Sequence, residues 1–144
     1  MTLSIATILL ALLFGSALTI QILVIPQLMA RVQDRSTVTR VSNQILKKHH
    51  LLAVVALLPA VILLLQTEKQ PATITTVLLL FLNLYQRFWI FTKLHLVKQP
   101  IGVQDLIQPD NVLREEFNRL QRLVYVLFRL HLLLLFINLI ACAL

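Results

Sequence analysis

The sequence predicts an all-α fold: an integral membrane four-helix bundle with helical cytoplasmic extensions. Three observations carry this. Of 144 residues, 58% are apolar and only 13% are charged, against about 25% charged in an ordinary soluble domain. The apolar residues gather in four long runs, and mean hydropathy is +0.85. Those runs are continuously apolar rather than alternating. Lipid offers the backbone no partners, so a spanning segment is a helix or part of a closed barrel, and barrel strands alternate apolar and polar residues. Helices therefore win, and the two glycines of the chain agree with a fold poor in turns.

The first run, 3–30, is interrupted only by Ser4, Thr7, Gly15, Ser16, Thr19, Gln21, Pro26 and Gln27. Residues 1–25 contain no Lys or Arg, and a secretory leader needs a basic start and a shorter apolar core. The run is expected to be a true span. Gly15 and Ser16 are expected to allow close helix approach, and Pro26 to kink the helix or lie near its end.

The second run, Leu51 to Leu65, is short for a span of roughly 20 residues, so the expected span is 46–65. Val38, Val41 and Ile45 lie on one helical face ahead of it. That predicts a helix starting near Thr37, with Ser36 as its N-cap. The third span is expected at 74–93 and the fourth at 122–144. Val112, Leu113, Phe117, Leu120 and Val124 extend the fourth helix backward, with Asp110 after Pro109 as its cap and Glu115 and Glu116 in its first turns. Such a helix of about 50 Å exceeds a hydrocarbon core of roughly 30 Å. The second and fourth helices are therefore expected to project together into the cytoplasm. Val97–Pro109 is expected to be the irregular link.

Net charge is +7, which superficially suggests nucleic acid. The basic residues sit between apolar runs, however, so they read as topology signals facing anionic lipid. Arg31, Arg35, Arg40, Lys47 and Lys48 crowd one connection, and Lys93, Lys98, Arg114, Arg119 and Arg122 another. The positive-inside rule places both in the cytoplasm and both termini on the other side, with the Gln66–Thr73 turn. The expected partners are membrane lipids and other membrane proteins, not nucleic acid. One cysteine, Cys142, excludes an internal disulfide.

Ionisable residues inside a span are functional candidates by default. Here these are Arg87, Arg129 and His131, with His49, His50 and His95 nearer the basic surface. No Asp or Glu lies inside any run, which argues against a carboxylate relay or cation site. Asn83, Gln86 and Arg87 share one face of the third helix. On the fourth, Asn118, Arg122, Tyr125 and Arg129 form one stripe, and His131 with Asn138 form another on nearly the opposite side. Arg129 is placed to snorkel toward headgroups. His131 and Asn138 suit interhelical hydrogen bonding. A sharper reading makes His131, with His50 or His95 opposite, an axial ligand to haem or chlorophyll, its propionates paired with Arg87 and Arg129. Adjacent helical residues diverge by about 100°, so His49 and His50 make a weak metal signal and are expected to mark the interface. Trp89 and Tyr85 are expected interfacial anchors, Trp89 beside Lys93.

Two stretches carry a family likeness. One is Gly15-Ser16-Ala17-Leu18-Thr19-Ile20-Gln21-Ile22-Leu23-Val24-Ile25-Pro26-Gln27-Leu28. The other is Phe128-Arg129-Leu130-His131 followed by Asn138. Together they resemble the small membrane family of domain of unknown function 4149, which includes transmembrane-protein-205-like proteins. Leu134 stands where that family often has a serine. The resemblance implies a four-helix membrane fold and no established activity.

Three function classes follow. The first is an accessory, assembly or binding subunit of a larger membrane complex, suggested by small size and the lack of a catalytic constellation. The second is a tetrapyrrole-binding redox or pigment protein. The third is a small membrane enzyme acting on a lipophilic substrate through Arg87, Tyr125 and Arg129.

Overall fold

A computed structural model describes residues 2–33, 35–104 and 112–143. Pro109 and Asp110, the expected cap of the last helix, lie outside the described residues. Four helices follow one another: α1 (Thr2–Arg31), α2 (Arg35–Leu65), α3 (70–104) and α4 (Val112–Ala143). No strand occurs among the described residues. Each helix is long and apolar enough to cross a bilayer, and the chain is an integral membrane protein. Sequential helices pack as antiparallel neighbours, and α1 also packs on α4, closing the ring.

Each helix buries one stripe. On α1 it is Ala6, Leu10, Leu13 and Ala17; on α2, Val38, Ser42, Leu46, His50, Ala53, Leu57, Ala60 and Leu64. On α3 it is Ala72, Thr76, Leu79, Asn83, Gln86 and Ile90; on α4, Leu120, Val124, Phe128, His131, Leu135, Asn138 and Cys142. The spacings of three and four keep each stripe on one side of its helix. The opposite faces expose Leu12, Val55, Ile62, Phe81, Phe88 and Val126, as lipid contact requires. Small residues on the inner stripes bring the helices close. Gly15 does not: a Cβ there would meet nothing within 4 Å, because Gly15 faces outward. Ala6 and Ala17 occupy the inner positions instead.

Three further expectations change. Helix α2 is already helical at Arg35, so Ser36 lies within its first turn rather than before it. The Val97–Pro109 link is shorter than expected, since α3 continues to Gln104. Pro26 sits at the start of a helical segment directly after a π turn, Ile20–Val24. The wider turn absorbs the missing proline N–H without breaking the helix.

Helices α2 and α4, 31 and 32 residues long, each span about 45–48 Å at 1.5 Å per residue, so both outrun the hydrocarbon. Their overhangs are joined by a reciprocal carboxamide pair. Asn43 Nδ2 donates to Gln121 Oε1 at 2.9 Å, and Gln121 Nε2 donates to Asn43 Oδ1 at 3.1 Å. This overhanging part, rich in Lys and Arg, is the basic end of the bundle.

Candidate functional site: a buried imidazole and carboxamide cluster

Asn83 stands at the centre of the site. Its Nδ2 donates to the Leu79 carbonyl at 2.7 Å, and a carbonyl only accepts, so the amide orientation is fixed. Asn83 Oδ1 therefore faces His50, and His50 Nδ1 donates to it at 2.7 Å. The second Nδ2 proton goes to His131 Nδ1 at 3.0 Å. Hydrogen-bond logic then sets both rings. His50 carries its proton on Nδ1. His131 accepts at Nδ1 and carries its proton on Nε2. One amide thus holds two imidazoles in opposite tautomers.

His49 completes the cluster. Its ring centroid lies 6.0 Å from that of His50 and 5.9 Å from that of His131, and the latter two are 6.0 Å apart. Phe128 sits within 5.6–6.2 Å of all three, and Phe91 lies 5.7 Å from His50. His49 and His50 are both buried, at 5% and 0% exposure. The expectation that they mark the interface is therefore corrected: the inward arc of α2 is wide enough here to take two consecutive residues.

The layer lies deep. His50 is 15 residues from the far end of α2, about 22 Å along the helix, in a core of roughly 30 Å. Just toward the basic end, Arg87 Nη1 donates to the Lys47 carbonyl at 3.0 Å. A π turn, Gln86–Ile90, begins three residues after Asn83. Its extra residue advances the buried face by one position, so Ile90 and Phe91 are both buried and Phe91 reaches His50. π turns recur at functional sites for this reason: they re-aim side chains.

Several polar atoms have no hydrogen-bond partner among the described residues: His49 Nε2, His50 Nε2, His131 Nε2, Ser42 Oγ and both polar atoms of the Gln86 carboxamide. His50, His131, Gln86 and Ser42 are all at 0% exposure. Each such group costs free energy in a place without bulk water.

The sequence-derived candidates separate in space. His131 and His50 meet through Asn83. Asn138 belongs to a second polar layer, where its Nδ2 donates to Thr76 Oγ1 at 2.7 Å and Thr76 in turn donates to the Ala72 carbonyl at 2.7 Å. His95 is exposed, in a cleft at the basic end. Arg129 is exposed on the outer face of α4, on the side away from His131. The sequence reading passed over His49, and it placed Asn83 and Gln86 on one face without placing them in the site.

A tetrapyrrole ligated by both His50 and His131 would lie in the plane midway between them. His49 and Phe128 are each nearly equidistant from the two rings and so stand on that plane, and Asn83 bonds both. These residues do not fit that group. His50, with Nδ1–H held by an amide oxygen, has the usual arrangement of a metal-ligating histidine, but His131 has its proton on Nε2. Among the described residues, no group of three or more His, Cys, Asp or Glu is placed to hold a metal ion.

Compared with protein-family models, with curated proteins and with solved structures, the chain matches none. The likeness to the domain-of-unknown-function family thus rests on its two sequence stretches.

Proposed function

We propose that this chain is a small membrane-embedded binding subunit, accessory to a larger membrane system, whose ligand centre is the His49–His50–His131–Gln86 cluster. The observation that carries this is the set of unpartnered polar atoms at bilayer depth. His50 Nε2 offers a lone pair and His131 Nε2 offers a proton, while the Gln86 carboxamide offers both. That combination suits a small neutral compound with a hydroxyl or carbonyl group, which donates to His50 and accepts from His131. No carboxylate lies in any span, so the cluster favours holding a ligand over general acid–base chemistry.

The test uses the purified protein in lipid nanodiscs. Native mass spectrometry is expected to show a bound small molecule that is absent from His50→Phe and His131→Leu. Nitrogen-15 spectra of the imidazoles are expected to show His50 Nε2 accepting a hydrogen bond. A protein that carries only lipid and water, with His50 Nε2 unbonded, would overturn the reading. The same preparation is expected to show no Soret absorption.

The basic end is proposed to face the cytoplasm, with both termini on the opposite side, on the strength of the Lys and Arg distribution.

A further inference from the structure

Away from the imidazole cluster, a cleft of about 230 Å³ opens at the basic end between α2 and α3. Arg40, Asn43, Gln44 and Lys47 line it from one face of α2, and Phe91, Leu94 and His95 from α3. We propose that this cleft binds a phosphate ester or phosphate group carrying negative charge.

Charge, shape and depth all point to that ligand. The lining holds two fixed cations and an imidazole but no carboxylate. Like charges held together in a cleft repel one another, and an anion relieves this. The nearest described acids along the chain, Glu115 and Glu116, line other clefts. Arg87 adds a further cation beside Lys47, whose carbonyl it holds at 3.0 Å. The walls are stiff, because the Asn43 carboxamide is locked to Gln121 and Phe91 rests on His50. The floor of Phe91 and Leu94 is apolar and buried, which suits the glycerol end of a lipid headgroup. The cleft also lies about one helical turn beyond the imidazole layer, where headgroups begin, and basic pockets between spanning helices are known seats of anionic headgroups.

The same chemistry comes from two sources, an anionic phospholipid or free phosphate. The experiment separates them. The full chain is placed in phosphatidylcholine nanodiscs, alone, with inorganic phosphate added, or with phosphatidylglycerol included. Thermal unfolding and bound-lipid masses are read in each. Phosphatidylglycerol adducts with a raised midpoint assign a headgroup, and a raised midpoint with phosphate alone assigns the free ion. Arg40→Gln with Lys47→Gln is expected to weaken binding about tenfold per residue or more. Both side chains are exposed, so the fold should survive, and circular dichroism checks it. Arg122→Gln with Arg129→Gln removes equal charge elsewhere and is expected to leave binding unchanged. No stabilisation by either source overturns the proposal, as does an equal loss in both double variants. His50→Phe is expected to retain the site, so this proposal and the ligand centre fail separately.

Discussion

At the scale of the residue, Asn83 does the work that two separate groups would otherwise share. Its amide accepts from His50 and donates to His131, and its bond to the Leu79 carbonyl keeps it from flipping. Replacing it with Leu strands the His50 Nδ1–H in an apolar layer. The expected cost is about 1–3 kcal/mol, read as a lower unfolding midpoint in detergent. Asn83→Asp is more informative. A carboxylate still accepts from His50 but donates to neither Leu79 nor His131, so His131 is freed to move its proton to Nδ1. Nitrogen-15 imidazole spectra are expected to show that change at His131 with His50 unaltered. An unchanged His131 tautomer would mean the amide does not set it. Here the limits of the sequence are plain. Periodicity placed His131 and Asn138 on one face of α4, and both are fully buried. Seven residues are also about 10 Å along the axis, so the two serve different layers. Their partners, Asn83 and Thr76, come from α3, and period alone says nothing about which residue of a neighbouring helix lies at the same height.

At the scale of the element, the π turn at Gln86–Ile90 decides what α3 presents to the basic end. A regular helix through Asn83 would carry its buried face onward without the one-residue advance that seats Phe91 against His50. Deleting Phe88, which is exposed at 69%, removes one residue from the wide turn and lets the α pattern run through. Everything beyond then rotates by about 100°. Phe91 and Leu94 should leave the wall of the cleft, helix content should stay the same by circular dichroism, and the unfolding midpoint should drop. A deletion variant as stable as the parent would show that the turn positions nothing. No residue type in 86–90 announces the π turn, so it was not legible beforehand. The length of α2 and α4 was, because Val38, Val41 and Ile45 and the stripe from Val112 to Val124 continued the helical period past the apolar runs. Proline near residue 100 and Gly102 suggested a loop, but α3 continues to Gln104; local propensity is a weak prior beside a helix already under way.

At the scale of the whole molecule, one asymmetry organises everything else: charge is concentrated at one end. Lys69 is the single basic residue of the Gln66–Thr73 turn, while both other connections are strongly basic. Trp89 stacks on Tyr85 at 5.0 Å and carries the Lys93 ammonium 4.1 Å over its ring, which is the expected dress of a membrane interface. The imidazole layer is therefore near one face of the bilayer and far from the other, and whichever compartment meets the basic end has the shorter path to it. Bringing Lys and Arg across a bilayer is costly, so the basic end is expected to remain in the cytoplasm. This is checked in a Cys142→Ser background, which removes the native thiol. A membrane-impermeant maleimide added to intact cells should label Thr67→Cys, in the turn between α2 and α3, and should not label Gln33→Cys, in the link after α1, until the membrane is broken. The reverse labelling pattern would turn the protein over. The ligand centre would then answer to the outer compartment, although the bundle itself would be unchanged.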